Sequence, residues 1–180
     1  TGAMYRATAL YAQRAGLAEH LEQVVERLQD IHISFVQTPN GQHVTLNGED
    51  VEAEIRTLEI GNLASQISTI KEVRAFLVAQ QQAMGKHKGI VMDGRDIGTV
   101  VFPNAELKLF LTASPNVRAE RRFKELQAKG ENPVFEEVLR DTNDRDYRDT
   151  HRAESPLRQA EDAIIVDNSQ MTQEEQMQHV

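Results

Sequence analysis

Residues 90–103 read IVMDGRDIGTVVFP, and this stretch decides which fold class the sequence predicts. The apolar run GIVM at 89–92 has the length of a strand buried on both faces of a parallel sheet. Two more short apolar runs follow at 107–111 and 163–166, and helical patterns separate all three. This alternation indicates an α/β fold with a parallel sheet.

The four residues after this apolar run, Asp93-Gly94-Arg95-Asp96, form a candidate ligand site. Open α/β sheets bind ligands beyond the carboxyl ends of their strands, which is where the expected strand places these residues. Gly94 allows a sharp turn, Arg95 can form a bidentate contact with a phosphate, and Asp96 can accept from a sugar hydroxyl. Asp93 could hold waters of a magnesium ion. A tight turn closed by a local ion pair is the structural alternative.

Around this stretch, turn signals at Pro39-Asn40-Gly41 and Asn47-Gly48 predict a small antiparallel sheet over residues 31 to about 56. The first helix is expected to end at Gly16. Thr172 and Glu175 form a capping box for the last helix. The other periodic segments predict helices near residues 2–14, 18–28, 58–68, 71–84, 115–129 and 135–148.

Composition narrows the class of protein. The chain has 180 residues, 39% hydrophobic and 27% charged, with a net charge of −8, which suits one soluble globular unit. The acidic balance argues against nucleic-acid binding, and no apolar run approaches the roughly 18 residues of a membrane span. The chain has no cysteine, so disulfides and thiolate zinc sites are excluded and a cytoplasmic location is expected.

Arginine is concentrated in one part of this acidic chain. Eight arginines fall between Arg118 and Arg158. Their planar guanidinium groups suit phosphate and carboxylate. A solvated helical face with Glu–Arg pairs is the alternative for any single arginine. As a cluster, the arginines favour an anionic ligand.

Five segments together resemble bacterial cytidylate kinase, a nucleoside monophosphate kinase of the P-loop kinase class. The resemblance covers nearly the whole chain in order. It implies transfer of the γ-phosphoryl group of ATP to CMP or dCMP, which gives CDP or dCDP and ADP in pyrimidine nucleotide metabolism. The segments are TGAMYRA at 1–7, NLASQIS at 62–68, EVRAFL at 72–77, GIVMDGRDIGTVVFP at 89–103 and DRDYRDTHRAESPL at 144–157.

The same resemblance implies a domain organisation. It predicts a three-layer parallel sheet of the P-loop kinase type, with an antiparallel β and helical NMP-binding insertion and an Arg-rich helical lid. The insertion is expected at 29–86 and the lid at 118–152, with the core formed by residues 1–28, 87–117 and 153–180. The implied partners are ATP and CMP or dCMP, with Mg²⁺ as the cofactor bound with ATP, and the protein is expected to be a monomer.

Residue roles follow by similarity to the family motifs. Thr1 and Arg6 are similar to the family's pair at the acceptor phosphate, Arg95 to its phosphate arginine and Asp96 to its ribose acid. Arg145 is similar to the arginine that bridges the two nucleotides, and it is the predicted catalytic group together with Arg95. Converging arginines suit phosphoryl transfer, because the donor and acceptor phosphates repel each other.

Base recognition and ATP binding are assigned in the same way. Ser65 and Arg74 correspond to the base pocket, with Asp149 and Arg152 completing it from the far side. An acid with arginines is a suitable set, because cytosine offers an amino donor and two acceptors. The residues expected to reach ATP stand at the head of the lid: Arg118, Arg121 and Arg122.

One departure from the family pattern stands out. The phosphate-binding loop G-x-x-x-x-G-K-[ST] is absent from these residues. The favoured interpretation is a native chain that begins roughly 30 residues earlier, the size of a strand–loop–helix unit. An inactive remnant is the alternative. Two rival functions stay open: another nucleoside monophosphate or small-metabolite kinase of this fold, and a non-catalytic nucleotide-binding module.

Overall fold

The computed structural model describes residues 1–179 and confirms a mixed α/β fold. Its strands are β1 (Ile33–Thr38), β2 (Gly41–Leu46), β3 (Glu49–Asp50), β4 (Leu109–Thr112) and β5 (Ile164–Asp167). Its α-helices are α1 (Gly2–Arg14), α2 (Leu58–Ile67), α3 (Lys71–Met84), α4 (Pro115–Ala128), α5 (Phe135–His151) and α6 (Gln173–His179). The remaining helical segments are the 3₁₀-helices Leu21–Asp30, Glu54–Arg56 and Gly85–His87 and the π-helix Ile97–Val101.

The chain divides into two compact units, Thr1–Ile97 and Gly98–Val180. The first unit has a large apolar core in which α1 buries Met4, Ala7 and Leu10. The predicted stop of α1 is confirmed: Gly16 has φ +72°, and the amide of Leu17 donates to the carbonyl of Ala12 at 2.8 Å. Glycine suits this position because it adopts a left-handed backbone without strain.

The predicted antiparallel sheet is confirmed within the first unit. Strands β1 and β2 pair from Ile33 opposite Leu46 to Thr38 opposite Gly41, which leaves a two-residue turn. Strand β3 pairs with β2, and the turn between them has Asn47 at φ +52° and Gly48 at φ +87°. Both residues of this Asn-Gly turn therefore have the positive φ that the signal predicts.

The second predicted helix, 18–28, differs from the structure, which has a 3₁₀-helix over Leu21–Asp30. The segment buries Leu21, Val24 and Leu28. Apolar residues spaced by three and four positions suit a 3₁₀-helix almost as well as an α-helix, so this pattern alone does not separate the two.

The prediction of a strand at residues 89–92 is wrong. This segment has no regular secondary structure; Ile90 is 43% exposed and Val91 is fully exposed. A strand buried on both faces needs neighbouring strands to take its backbone hydrogen bonds, and none of the described residues pairs with this segment. The Asp93–Asp96 turn therefore follows a segment without regular secondary structure.

The other two apolar runs do form strands. Strands β4 and β5 pair in parallel, with Leu109 opposite Ile164 and Thr112 opposite Asp167. Their predicted burial on both faces is wrong, since Leu111, Ile164 and Ile165 are each about half exposed. In the described part of the chain this sheet has two strands, so each strand has a single neighbour.

Helices α4 and α5 build a second apolar cluster from Ala119, Leu126 and Val138. The rings of Phe123 and Phe135 meet edge to face at 5.8 Å beside it. Ser114 caps the first turn of α4, Pro115 begins the helix, and Gly130 follows it with φ +81°, which is the usual preference for proline at a helix start and glycine beyond its end.

The predicted capping box of α6 is also confirmed. The amide of Glu175 donates to the Thr172 hydroxyl at 3.2 Å, and the amide of Thr172 donates to the Glu175 carboxylate at 2.8 Å. The Thr172 amide and the Thr172 hydroxyl both donate to the Glu175 carboxylate, and these two bonds lower the pKa of Glu175. None of the helices in residues 1–179 is sufficiently long and apolar to span a bilayer.

Glu125 on α4 provides a pH-dependent prediction. Hydrogen bonds from Lys129 and Arg122 lower its pKa from 4.5 to about 2, so this stabilisation is present above pH 4.5 and is lost as pH falls toward 2. Because the side chain is half exposed, we expect Glu125→Gln to lower the free energy of unfolding at pH 6 by only about 0.5 kcal/mol.

Urea denaturation at pH 6 and at pH 2.5 measures this difference, with the exposed Glu131→Gln as control. The difference in the free energy of unfolding between wild type and Glu125→Gln should be smaller at the lower pH. An equal gap at both pH values would contradict the prediction.

Candidate active site

The turn at residues 93–96 is held by the start of α1. The Thr1 hydroxyl donates to the backbone carbonyl of Asp93 at 2.6 Å. A Cβ atom at Gly94 would collide with that hydroxyl and lie 2.9 Å from the Ile97 side chain. Gly94 has no positive φ, so glycine is needed here for close approach rather than for a left-handed turn. This packing ties Thr1 to the turn that carries Arg95 and Asp96.

Asp96 is buried, and it forms an ion pair with Arg74 of α3. One terminal guanidinium nitrogen of Arg74 donates to the Asp96 carboxylate, and the other donates to the carbonyl of Ser68 at 3.0 Å. The guanidinium carbon also lies 5.6 Å from the centre of the Tyr5 ring. The structure thus brings together two predicted substrate residues that are 22 positions apart, one for ribose and one for base.

Ser65, the serine predicted for the base pocket, is connected to the same cluster through Ser68. Ser65 lies half-buried on α2, and its carbonyl accepts the Ser68 hydroxyl at 2.8 Å. Because the Ser68 carbonyl in turn accepts from Arg74, the end of α2 and the first turns of α3 are joined at this point. Sequence reasoning missed Ser68 and Tyr5, although both stand within motifs that carry the resemblance.

Arg6 and Arg95 complete the predicted set in the first unit. One terminal nitrogen of Arg6 donates to the carbonyls of Ile55 at 2.8 Å and Thr57 at 3.3 Å. A Cβ at Gly61 would lie 3.1 Å from the same guanidinium group, so Arg6 packs closely against α2. Arg95 is exposed. Arg6 is therefore held by backbone carbonyls, whereas Arg95 is exposed to solvent.

Three predicted residues of the second unit meet at the end of α5. Asp149 is buried, with a carboxylate oxygen 3.7 Å from a terminal nitrogen of Arg152 and the other oxygen 4.0 Å from Nε of Arg145. The Arg152 side chain is only 6% exposed, and the Arg145 side chain is 49% exposed. Arg145 and Asp149 share a helix face because they are four residues apart.

The arginines predicted to bind ATP all pair with protein groups of the second unit. Arg118 makes a bidentate pair with Asp146 at 2.7 and 2.5 Å, which raises its pKa, and its Nε donates to the carbonyl of Ala113. Arg121 donates to the side chain and the carbonyl of Asn168 at 3.0 and 2.7 Å. Arg122 pairs with Glu125.

Asp146 and Asn168 were therefore missed by the sequence analysis. Asp146 directly follows Arg145 in the sequence. The helical periodicity of α5 is the sequence signal that indicates on which face of the helix Asp146 lies. Nothing in the sequence pattern places Asn168 near α4. The predicted residues of the second unit form two groups, one around Asp149 and one at the head of α4.

Asp93 is the predicted metal residue, and it is exposed. Residues 1–179 contain no group of three or more histidine, cysteine, aspartate or glutamate side chains that could enclose a metal ion. A single accessible carboxylate suits a water-mediated contact to Mg²⁺ that arrives with a nucleotide, since Mg²⁺ keeps much of its hydration shell. The exposed carboxylate of Asp93 therefore fits the predicted water-mediated contact to a nucleotide-bound Mg²⁺.

The chain as a whole matches one protein family. The family model described as cytidylate kinase matches residues 1–180. The chain belongs to the cytidylate kinase family. The resemblance inferred from the five sequence segments is thereby confirmed.

Curated cytidylate kinases show the same similarity along the chain. The cytidylate kinase of Parabacteroides distasonis is 56% identical, over 98% of this chain and 80% of the relative. That of Bacteroides thetaiotaomicron is 52% identical, with 98% and 80% covered, and that of Flavobacterium johnsoniae is 52% identical, with 98% and 79% covered. The chain thus spans about four fifths of the length of these relatives.

Proposed function

We propose that this chain is the catalytic polypeptide of a cytidylate kinase, which transfers the γ-phosphoryl group of ATP to CMP or dCMP and forms CDP or dCDP and ADP. The family match over residues 1–180 carries this conclusion. The geometry supports it, since an acidic chain gathers arginines beside buried carboxylates in both of its units. Phosphoryl transfer needs such positioned positive charge more than it needs covalent chemistry.

In the first unit, we assign Thr1, Arg6 and Arg95 to the phosphate of the acceptor nucleotide. Arg95 is the exposed cation of this set, and Arg6 is the one that donates to backbone carbonyls. Asp96 is assigned to the ribose. Because its carboxylate already pairs with Arg74, a sugar hydroxyl would donate to an oxygen whose orientation is set in advance.

We assign the base to Ser65 and Arg74 in the first unit and to Asp149 and Arg152 in the second. Nε of Arg74 is buried and makes no hydrogen bond within the described residues, which leaves a donor for an acceptor atom on a ligand. Asp149 supplies the acceptor that an exocyclic amino group needs. A carboxylate with guanidinium donors thus covers both kinds of group on cytosine.

We assign stabilisation of the phosphate charge during phosphoryl transfer to arginines of the second unit. Arg145 is half exposed and is assigned to the bridge between the two nucleotides. Arg118, Arg121 and Arg122 are assigned to ATP. Each of these three pairs with a protein group in the structure, so binding of ATP phosphates would exchange those partners for phosphate oxygens.

Mg²⁺ is proposed to enter with ATP, where it neutralises charge on the β- and γ-phosphate oxygens. Asp93 would hold one of its waters through its exposed carboxylate. The motif G-x-x-x-x-G-K-[ST] does not occur in these 180 residues.

The finer architecture is also proposed from the family. We place the NMP-binding insertion at 29–86, the lid at 118–152 and the core in the rest of the chain. Half-exposed apolar side chains on β4 and β5 support the assignment of this pair to a larger three-layer sheet of the P-loop kinase type, because such a sheet would cover them. The protein is proposed to act as a cytoplasmic monomer.

A substrate panel tests the proposed function. The protein expressed from its complete gene is assayed with ATP and Mg²⁺ against CMP, dCMP, UMP, AMP and shikimate, with ADP release as the readout. We expect the highest kcat/KM for CMP and dCMP. A preference for UMP, AMP or shikimate would assign another kinase of this fold, and no turnover of any acceptor would favour a non-catalytic nucleotide-binding module.

A further inference from the structure

The side chain of Arg152 is oriented by one backbone carbonyl. Its Nε and one terminal nitrogen both donate to the carbonyl oxygen of Ser155, at 2.9 and 2.7 Å. The other terminal nitrogen lies 3.7 Å from the Asp149 carboxylate. Because the side chain is 6% exposed, water competes little for these donors. The carbonyl thus directs one side of the guanidinium group and leaves the opposite nitrogen facing Asp149.

Ser155 has an uncommon backbone conformation that makes this contact possible. Its φ is +48°, one of three non-glycine residues with positive φ in the described chain, and Pro156 follows it. Two residues later, the amide of Leu157 donates to the carbonyl of Asp149 at 2.7 Å. The segment after α5 therefore folds back on the helix end, and the left-handed residue turns its carbonyl toward Arg152.

We propose that Ser155 is a positioning residue for substrate selection: its left-handed backbone presents the carbonyl that aims Arg152 beside Asp149. This inference rests on the proposed role of Arg152 and Asp149 at the base. The acting atom belongs to the main chain, so the serine hydroxyl is not required. Residues that tolerate positive φ should support function at this position, and β-branched residues should not.

A substitution series tests the proposal in the complete protein. Ser155→Gly and Ser155→Ala should keep kcat/KM for CMP within about threefold of wild type, because glycine adopts positive φ without strain and alanine, like serine, is not branched at Cβ. Ser155→Val should lower it about tenfold, mainly through a higher KM for CMP, since a β-branched residue disfavours this backbone conformation. The KM for ATP should change little. Wild-type kinetics in Ser155→Val would overturn the proposal.

A double-mutant cycle separates positioning from a general loss of structure. In an Arg152→Ala background, Ser155→Val should cause no further fall in kcat/KM for CMP, because the guanidinium group to be positioned is absent. A further tenfold fall in that background would overturn the proposal. Asn47→Val, at φ +52° in the β2–β3 turn, is the control for backbone strain elsewhere in the chain. It also removes the hydrogen bond that Oδ1 of Asn47 accepts from the His32 amide, so it should lower the melting temperature without changing KM for CMP.

Exchange of the Arg152 Nε proton, followed by NMR, tests the positioning without activity. This proton should be protected in wild type and Ser155→Ala and exposed in Ser155→Val; equal protection in all three would overturn the proposal. If Arg152→Ala keeps wild-type kinetics while exchange behaves as expected, the proposed base-reading role of Arg152 fails and the positioning contact stands. If Arg152→Ala is impaired and Ser155→Val is not, only the present proposal fails.

Discussion

Replacing Asp96 with alanine is expected to lower the free energy of unfolding by about 3 kcal/mol, because the change leaves the buried Arg74 guanidinium without its anion. Both side chains are less than 10% exposed, so solvent cannot compensate. Turnover of CMP and of dCMP should fall together by about tenfold or more, through loss of a hydrogen bond from the ribose to a charged group. The large expected effect on stability follows from the burial of Asp96.

Urea denaturation and steady-state kinetics of the same variant measure both effects. Arg74→Met combined with Asp96→Leu removes both charges, so it should regain much of the stability while activity stays low. The exposed pair Lys129–Glu125 is the control, and Lys129→Ala should cost well under about 1 kcal/mol. Normal kinetics in a destabilised Asp96→Ala would leave Asp96 with a structural role alone.

Much of the helical architecture could be predicted because helix signals are local. Local signals depend on residues only a few positions apart. They include the start of α1 and its end at Gly16, the Asn47-Gly48 turn and the Thr172–Glu175 capping box. Residues 89–92 could not be assigned correctly, because an apolar run becomes a strand only where other strands pair with it. Strand formation is a tertiary event, and the composition of the run does not determine it.

The candidate site was predictable in residue type more than in geometry. The spacing of Arg145 and Asp149 on one helix predicts their proximity. In the structure, Nε of Arg145 lies 4.0 Å from a carboxylate oxygen of Asp149. The Arg74–Asp96 pair joins residues from different elements, so no periodic pattern indicates it. The role of Ser155 could not be found by scanning for reactive side chains, because the group that contacts Arg152 is a main-chain carbonyl.

Asp149→Asn is expected to lower kcat/KM for CMP by at least about tenfold, roughly 1.4 kcal/mol of transition-state stabilisation. The substitution keeps the shape of the side chain but replaces one acceptor oxygen with a donor amide, which cannot accept from the cytosine amino group. UMP presents a carbonyl where CMP has that amino group, so its use should fall less or rise. A site that pairs polar groups loses selectivity sharply when one of them is left unmatched.

The comparison is made at saturating ATP, so that weakened ATP binding is not mistaken for an altered base pocket. Asp144→Asn removes one charge from an exposed position of the same helix and should leave the CMP to UMP ratio unchanged. Asp149 is buried beside Arg152, and the melting temperature of Asp149→Asn is measured to show that the variant is folded. Equal losses of kcat/KM for CMP and UMP would mean that Asp149 contacts the sugar or positions the helix. The reason is that CMP and UMP share the same ribose phosphate, so only contact with the base discriminates between them.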